Sequence, residues 1–417
     1  MIGMAQGNMG GSSIRFDSDL NQEAADELAR TAARSESRRL VVLGVIAVCL
    51  VLLSMLLPTG MFYSFSQKMT LSVFIERVTG NFGGLVSVFV GNGEAYETRF
   101  MAVLVCAVSG AALGICGSAY QGAFNNPLAA PKTLGVMAGG ALGGLIYVIW
   151  GRGIGPQMPS SASAFTYSQR QEWLATLNPL EWLWQTYGMS LCSIAGCCLV
   201  VAIVVAITSV LSRGKLSNII VIIFGTVFAA CVTALISFAR YLYTVAGDID
   251  TADALKSIEN YTMTSTFHFT DLAIVVLPIC ICIAVLLLMS RRLTLLSFGD
   301  DEAASMGVNV NKSRYLLIAV CTILTALAIS FCGHVAFLGF ISAHLARRIV
   351  GPNFKYLLPA SLFTGAGLLT TVQYICESGL PFTSINASGS VCSMLGSILF
   401  LGMVLAQWRK GGSGGWR

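Results

Sequence analysis

The chain has 417 residues, 55% of them hydrophobic and only 11% charged, with a formal net charge of +5. A soluble domain of this size would carry about 25% charged residues. The composition therefore excludes a soluble core with one anchor and leaves a polytopic membrane protein, all-α by the length of its apolar runs.

Residues 1–38 are polar, with a helical-looking stretch from Asn21 to Arg39, and are expected to form a cytoplasmic N-terminal segment. They are not a secretory signal, because no small-residue cleavage site follows the apolar run. A membrane-crossing helix needs about 20 apolar residues. Ten segments approach this within a transmembrane domain spanning 39–410: 40–58, 97–121, 133–151, 188–212, 217–240, 271–290, 313–332, 335–350, 355–376 and 386–407. The eighth is short and Gly-flanked, so it is expected to be tilted or broken. No Asp or Glu lies in their interiors; Glu97 and Asp271 stand only at first positions. An ion-coupled pump or proton relay needs ionisable groups held inside the bilayer, so that class is disfavoured. Residues 411–417 read as a flexible tail.

Lys and Arg occur at alternate connections. They stand before the first span (Arg38, Arg39), between the second and third (Lys132), and between the fourth and fifth (Arg213, Lys215). They recur around the connection after the sixth (Arg291, Arg292, Lys312, Arg314), after the eighth (Arg347, Arg348, Lys355) and after the tenth (Arg409, Lys410). The positive-inside rule then puts both termini in the cytoplasm. Two outer connections are long, 59–96 and 152–187. The second is an extracytoplasmic insertion holding Trp173, Leu177, Leu180, Trp182, Leu183 and Trp184, a cluster suited to a helix at the outer interface. Gly110 and Gly114, and Gly135, Gly139 and Gly143, stand four apart, a spacing that lets helices approach closely in lipid.

Two inner segments carry more than packing. In Gln121-Gly122-Ala123-Phe124-Asn125-Asn126-Pro127-Leu128-Ala129-Ala130-Pro131, the prolines and the Asn-Pro step force a non-helical turn. In 291–312, Gly299 and Gly307 bracket an acidic, Ala-rich stretch (Leu295, Asp300, Asp301, Glu302, Ala303, Met306) that reads as one or two short helices, with Ser297 or Asp300 as a cap. Such a helix pair would make a rigid lever for a soluble partner.

These residues resemble a known family. Gly110…Gly114…Gly117…Gln121…Asn126-Pro127-Leu128-Ala129…Pro131…Leu134-Gly135 is similar to the permease subunits of the ABC importers for iron–siderophores, haem and vitamin B12, the FecCD/BtuC family. Gly299-Asp300…Ala303…Met306-Gly307-Val308 resembles their coupling-helix motif, and Gly333…Gly339…His344…Arg347…Gly351 a third block. The resemblance covers roughly 95–405. It implies the fold of a type II ABC importer permease in a bacterial inner membrane, with no catalysis in the chain. It also implies a paired permease, two ATPase subunits that bind ATP and Mg, and an extracytoplasmic substrate-binding protein; nucleic acid has no place in it. The chain has no Gly-rich phosphate loop ending in Lys-Ser or Lys-Thr of its own.

Departures from the family pattern fall on the outer side. The usual Arg-Leu-Pro-Arg is Arg99-Phe100-Met101-Ala102, and the expected Asp and Arg of the ninth span are Gln373 and Glu377; Ala343 replaces a Pro. Arg99 remains as the basic docking residue for the binding protein, and the losses point to a heterodimer. Ser109, Ser118, Thr226 and Thr233 stand as candidates for lining the pathway of a ferric siderophore, with haem or cobalamin as alternatives. His344 reads as a hydrogen-bonded packing histidine, and no metal site is expected, since neither Cys-x-x-Cys nor a zinc-like Cys/His spacing occurs. Asp248, Asp250 and Asp253 lack the Gly and terminal Glu of a calcium loop and read as a solvated loop. A Cys332–Cys376 disulfide is left open. The rival classes are a secondary transporter, which should show a coupling acid or repeated halves, and a non-transporting scaffold.

Overall fold

The computed structural model describes residues 10–56, 80, 94–126, 129–156, 172–211, 218–259, 269–333, 335–377 and 388–409. Among the described residues, thirteen helices of six or more residues carry the fold, and no strand occurs. They are α1 (Gly10–Leu56), α2 (Glu94–Ala123), α3 (Val136–Ile149), α4 (Pro179–Leu211), α5 (Asn218–Val245), α6 (Ile249–Glu259) and α7 (Phe269–Leu288), then α8 (Ser290–Leu296), α9 (Asp300–Ser305), α10 (Val310–Cys332), α11 (Leu338–Val350), α12 (Phe354–Glu377) and α13 (Ser388–Arg409).

A helix lies at each of the ten expected spans, but they are unequal. Among the described residues, five stretches are long and apolar enough to cross a bilayer: Thr31–Met55, Phe100–Ala123, Pro179–Leu211, Ile220–Val245 and Val310–Cys332. A sixth forms if Val276–Leu288 and Ser290–Leu296, bent by 53°, count together. By contrast α3 has 14 residues and α11 has 13. At 1.5 Å per residue these reach only about 20 Å, two thirds of a hydrocarbon core.

Two glycine-lined groups make the bundle. In the first, α2 packs on α12 and α11. A methyl group added at Gly110 or Gly114 would collide with the backbone of Gly365 or Ser361, and one at Gly117 with Gly339. In the second, α3 lies against α4, Gly139 facing Gly196 and Gly143 facing Cys192. α10 joins the groups, touching α2, α3 and α4, and its residues from Leu324 to Cys332 are all buried. Without a hydrophobic drive between helices in lipid, backbone approach of this kind supplies the packing contacts that hold them.

Two expectations are corrected, and one open question is closed. The Asp248 region is not a loop: α6 runs Ile249–Glu259, and Ala252, Leu255 and Ile258 bury its apolar face against α3 and α5. Asp248 accepts the Thr251 N–H at 3.0 Å and caps that helix. This hydrogen bonding to Thr251 holds its carboxyl below the usual range. Next, α4 begins at Pro179 rather than near 188, so Trp182 and Trp184 belong to its first turns. Trp184 donates from Nε1 to the Gly151 carbonyl at 2.9 Å and pins the turn after α3. The Cys332–Cys376 disulfide that the sequence left open does not form: both cysteines are buried as thiols.

Candidate functional site

The three motif blocks meet at the end of α2. Gln121, 5% exposed, accepts from Arg347 Nη2 of α11 at 3.4 Å. Gly122 leaves room for Phe354, the first residue of α12, and for Leu293 of α8. The Ala123 carbonyl, left without an intrahelical donor at the helix end, accepts Arg314 Nε at 2.8 Å. A larger residue at 122 would displace Phe354, so Gly122 is required by close approach alone.

Arg314 organises this junction. Its side chain is 2% exposed, yet both ends of the guanidinium are used. Nη2 and Nη1 bind the two Asp300 carboxylate oxygens at 2.7 and 3.2 Å, and the Phe124 ring lies 6.0 Å away. Asp300, 57% exposed, is the first residue of α9. The planar fork suits two-point recognition in a way that a lysine could not. Thus a buried arginine on α10 ties the short α9 to the end of α2.

Where one or two short helices were expected between Gly299 and Gly307, one forms there, α9, and α8 precedes it. Gly299 (φ 125°) and Gly307 (φ 83°) occupy backbone regions closed to most side chains. Gly299, not Ser297 or Asp300, stands at the α9 cap. Leu293, Leu296 and Ala303 are buried, whereas Asp301, Glu302 and Met306 are exposed; Leu295 is half-buried. Anchored inside and open outside, the segment presents a surface to solvent.

Other expected residues divide sharply. Asn126 accepts from the Ala129 N–H at 3.1 Å in the turn after α2, and Pro131 opens a 3₁₀ turn, Pro131–Leu134, closed by Gly135 (φ 77°). Pro127 lies outside the described residues. Ser109 and Ser118 are buried, and Ser118 bonds Ser361 of α12 at 2.7 Å, so in this conformation both belong to packing rather than to a pathway wall. Thr226 and Thr233 are exposed on α5 with their hydroxyls turned to their own helix carbonyls. Gly339 sits against Leu113 and Gly117. His344 stacks on Phe340 at 6.4 Å, but its Nε2 has no hydrogen-bond partner among the described residues, contrary to expectation. Arg99 lies in α2. Arg314 and Gly122 were not singled out from sequence; the sign was a lone arginine at the threshold of an apolar span, fourteen residues after an aspartate.

Residues 65–407 match the FecCD transport family. The chain belongs to that family. Among its relatives, the hemin transport system permease protein HmuU of Yersinia pestis is 30% identical over 74% of this chain and 82% of its own length. The molybdate import system permease protein MolB of Haemophilus influenzae is 26% identical over 76% and 82%. The ferric enterobactin transport system permease protein FepD of Escherichia coli is 28% identical over 67% and 72%. A solved chain of a metal-chelate type ABC transporter in an inward-facing conformation has the same fold, with TM-score 0.62 and 24% identity over 89% of this chain and 99% of that one. As a FecCD protein the chain is a multi-pass membrane permease of the ABC importer type, a transport subunit that works with ATPase and substrate-binding partners.

Proposed function

We propose that the chain forms half of the translocation pathway of an ATP-driven importer for a ferric siderophore or a similar metal chelate. The observation that carries this reading is the junction at α2, where a lever open to solvent is fastened to the cores of α2, α10 and α12. Residues 295–308 would seat in a groove of the ATPase, whose ATP and Mg supply the work. The cargo class is supported by relatives named for ferric enterobactin, Fe(3+)-citrate and iron(3+)-hydroxamate. In this reading both termini face the cytoplasm, Arg99 contributes to docking of the binding protein, and the second permease is a different chain.

The test is reconstitution. The chain, its companion permease, ATPase and binding protein are placed in vesicles, and ATP-dependent uptake of radioiron as a siderophore chelate is followed. Absence of ATP-dependent uptake of any metal chelate would overturn the reading. Identity to the hemin permease favours a second cargo, and uptake of hemin in place of the siderophore would select it.

A further inference from the structure

Lys132 does not lie where a loop charge should. The positive-inside pattern places it at the membrane surface, between the second and third spans. The structure instead turns the chain back into the bundle after α2, with Ala129, Pro131 and Leu134 all buried. Helix α3 runs antiparallel to α4 with Gly135 against Val200, Gly139 against Gly196 and Gly143 against Cys192. Beyond Val200, α4 continues to Leu211 through an apolar stretch. Those eleven residues put the start of α3 about 16 Å inside the end of α4. Gly225 of α5 meets the same level, touching Thr133 and Leu134.

The Lys132 ammonium is therefore held at depth. It lies 4.9 Å over the ring of Phe337, at the start of α11. The next turn of α11 packs Gly339 on Leu113 and Gly117 of α2, six and more residues inside the end of that helix. The Lys132 side chain is exposed in the single chain. A charge at such depth is costly against lipid, and ionisable groups there face a bundle interior or water. The half-length helices α3 and α11 both begin at this level, and their amino ends add positive partial charge. Thr226, also exposed, follows Gly225 directly in α5, one residue from the contact with Thr133 and Leu134.

We infer that Lys132 projects into the aqueous translocation pathway and gives it a positive collar that favours anionic cargo, such as carboxylate- or catecholate-bearing metal chelates. The inference rests on the reading of the chain as half of a pathway; in a paired permease, each half contributes its own wall. The apolar Phe337 ring beneath the ammonium would let a bulky chelate slide past with only one charged contact. An anionic lipid headgroup offers the same charge, and the experiment separates it from cargo.

The test measures the field without requiring transport. Thr226→Cys is introduced into the assembled permease after the exposed native cysteines are replaced, and its rates of reaction with anionic and cationic membrane-impermeant methanethiosulfonates are compared. Unit charges several ångströms apart in a wet site predict an anion preference that falls roughly threefold to tenfold on Lys132→Gln. Lys132→Cys should itself react with both reagents. The preference should be equal in vesicles of neutral lipid and of lipid rich in phosphatidylglycerol. Failure of both cysteines to react would place the site against lipid and overturn the inference. So would an anion preference unchanged by Lys132→Gln, or one present only with phosphatidylglycerol. A failed uptake assay with an intact reagent preference would count against the cargo reading alone.

Discussion

Single atoms decide much of this structure. Gly117 approaches the Gly339 backbone so closely that a methyl group cannot fit. Gly117→Ala is expected to destabilise the purified permease by about 1–3 kcal/mol through overpacking, read as a lowered thermal midpoint in detergent. Gly153→Ala, at a site with nothing within 4 Å, is the matched control and should leave the midpoint alone. At the junction, Asp300→Asn keeps the shape of the side chain but removes the charge that meets Arg314. Because Asp300 is 57% exposed, the cost should sit near the lower end of the about 1–3 kcal/mol given for an orphaned buried partner. The larger effect should fall on transport-coupled ATPase activity, lowered relative to wild type in the reconstituted complex; wild-type coupling in Asp300→Asn would deny the clasp a role. The motif glycines were legible in the sequence because positive φ and close approach both select glycine. The Arg314–Asp300 clasp was not, since charge patterning sees only that both residues lie near an inner surface. It carries no information on which charge is pulled inside.

In the proposed reading, short elements carry the coupling and long ones the topology. The lever α8–α9 depends on two backbone reversals, at Gly299 (φ 125°) and Gly307 (φ 83°). Replacing either with a bulky residue should lower transport-coupled ATPase activity while assembly persists, seen as an unchanged elution profile of the complex. Unaltered coupling in both variants would remove this segment from the ATPase interface. For the 152–187 insertion, a cysteine at Ser161, outside the described residues, should react with an impermeant thiol reagent added from outside. Reaction only after the opposite face is opened would invert the topology. Hydropathy located every long helix, and the short, Gly-flanked run of α11 stood out as irregular, yet it misjudged α3, α6 and the start of α4. The reasons differ. α3 is apolar but begins inside the bundle, so its run looks like a full span. α6 is polar on one side, and a window average hides its buried Ala252, Leu255 and Ile258. The tryptophans at the head of α4 look interfacial by composition, although Trp184 is fixed by a hydrogen bond to Gly151.

At the scale of the whole molecule, the outer losses at Ala102 and Glu377 motivate a heterodimer, because a symmetric pair would lose those charges twice. Purified alone and with a second FecCD permease, the chain should form the stable, salt-sensitive complex with a binding protein only in the mixed pair. A transport-competent homodimer would exclude that arrangement and leave the importer reading standing. Family and fold were readable from the motifs, whereas the register between helices was not, because sequence alone does not report how helices rotate. One long-range consequence concerns α1. Arg39 donates to the Ile349 carbonyl at 3.2 Å, and Gly44 rests on Phe363 of α12. Beyond that anchor the helix runs unbroken back to Gly10, about 43 Å of rod. A stiff rod fastened at one end is a pointer: a rocking of α12 by about 10° would swing its free tip roughly 7 Å at 1.5 Å of rod per residue. A dye near Gly10 would thus read, as an amplified arc, motions too small to follow at the helices that make them.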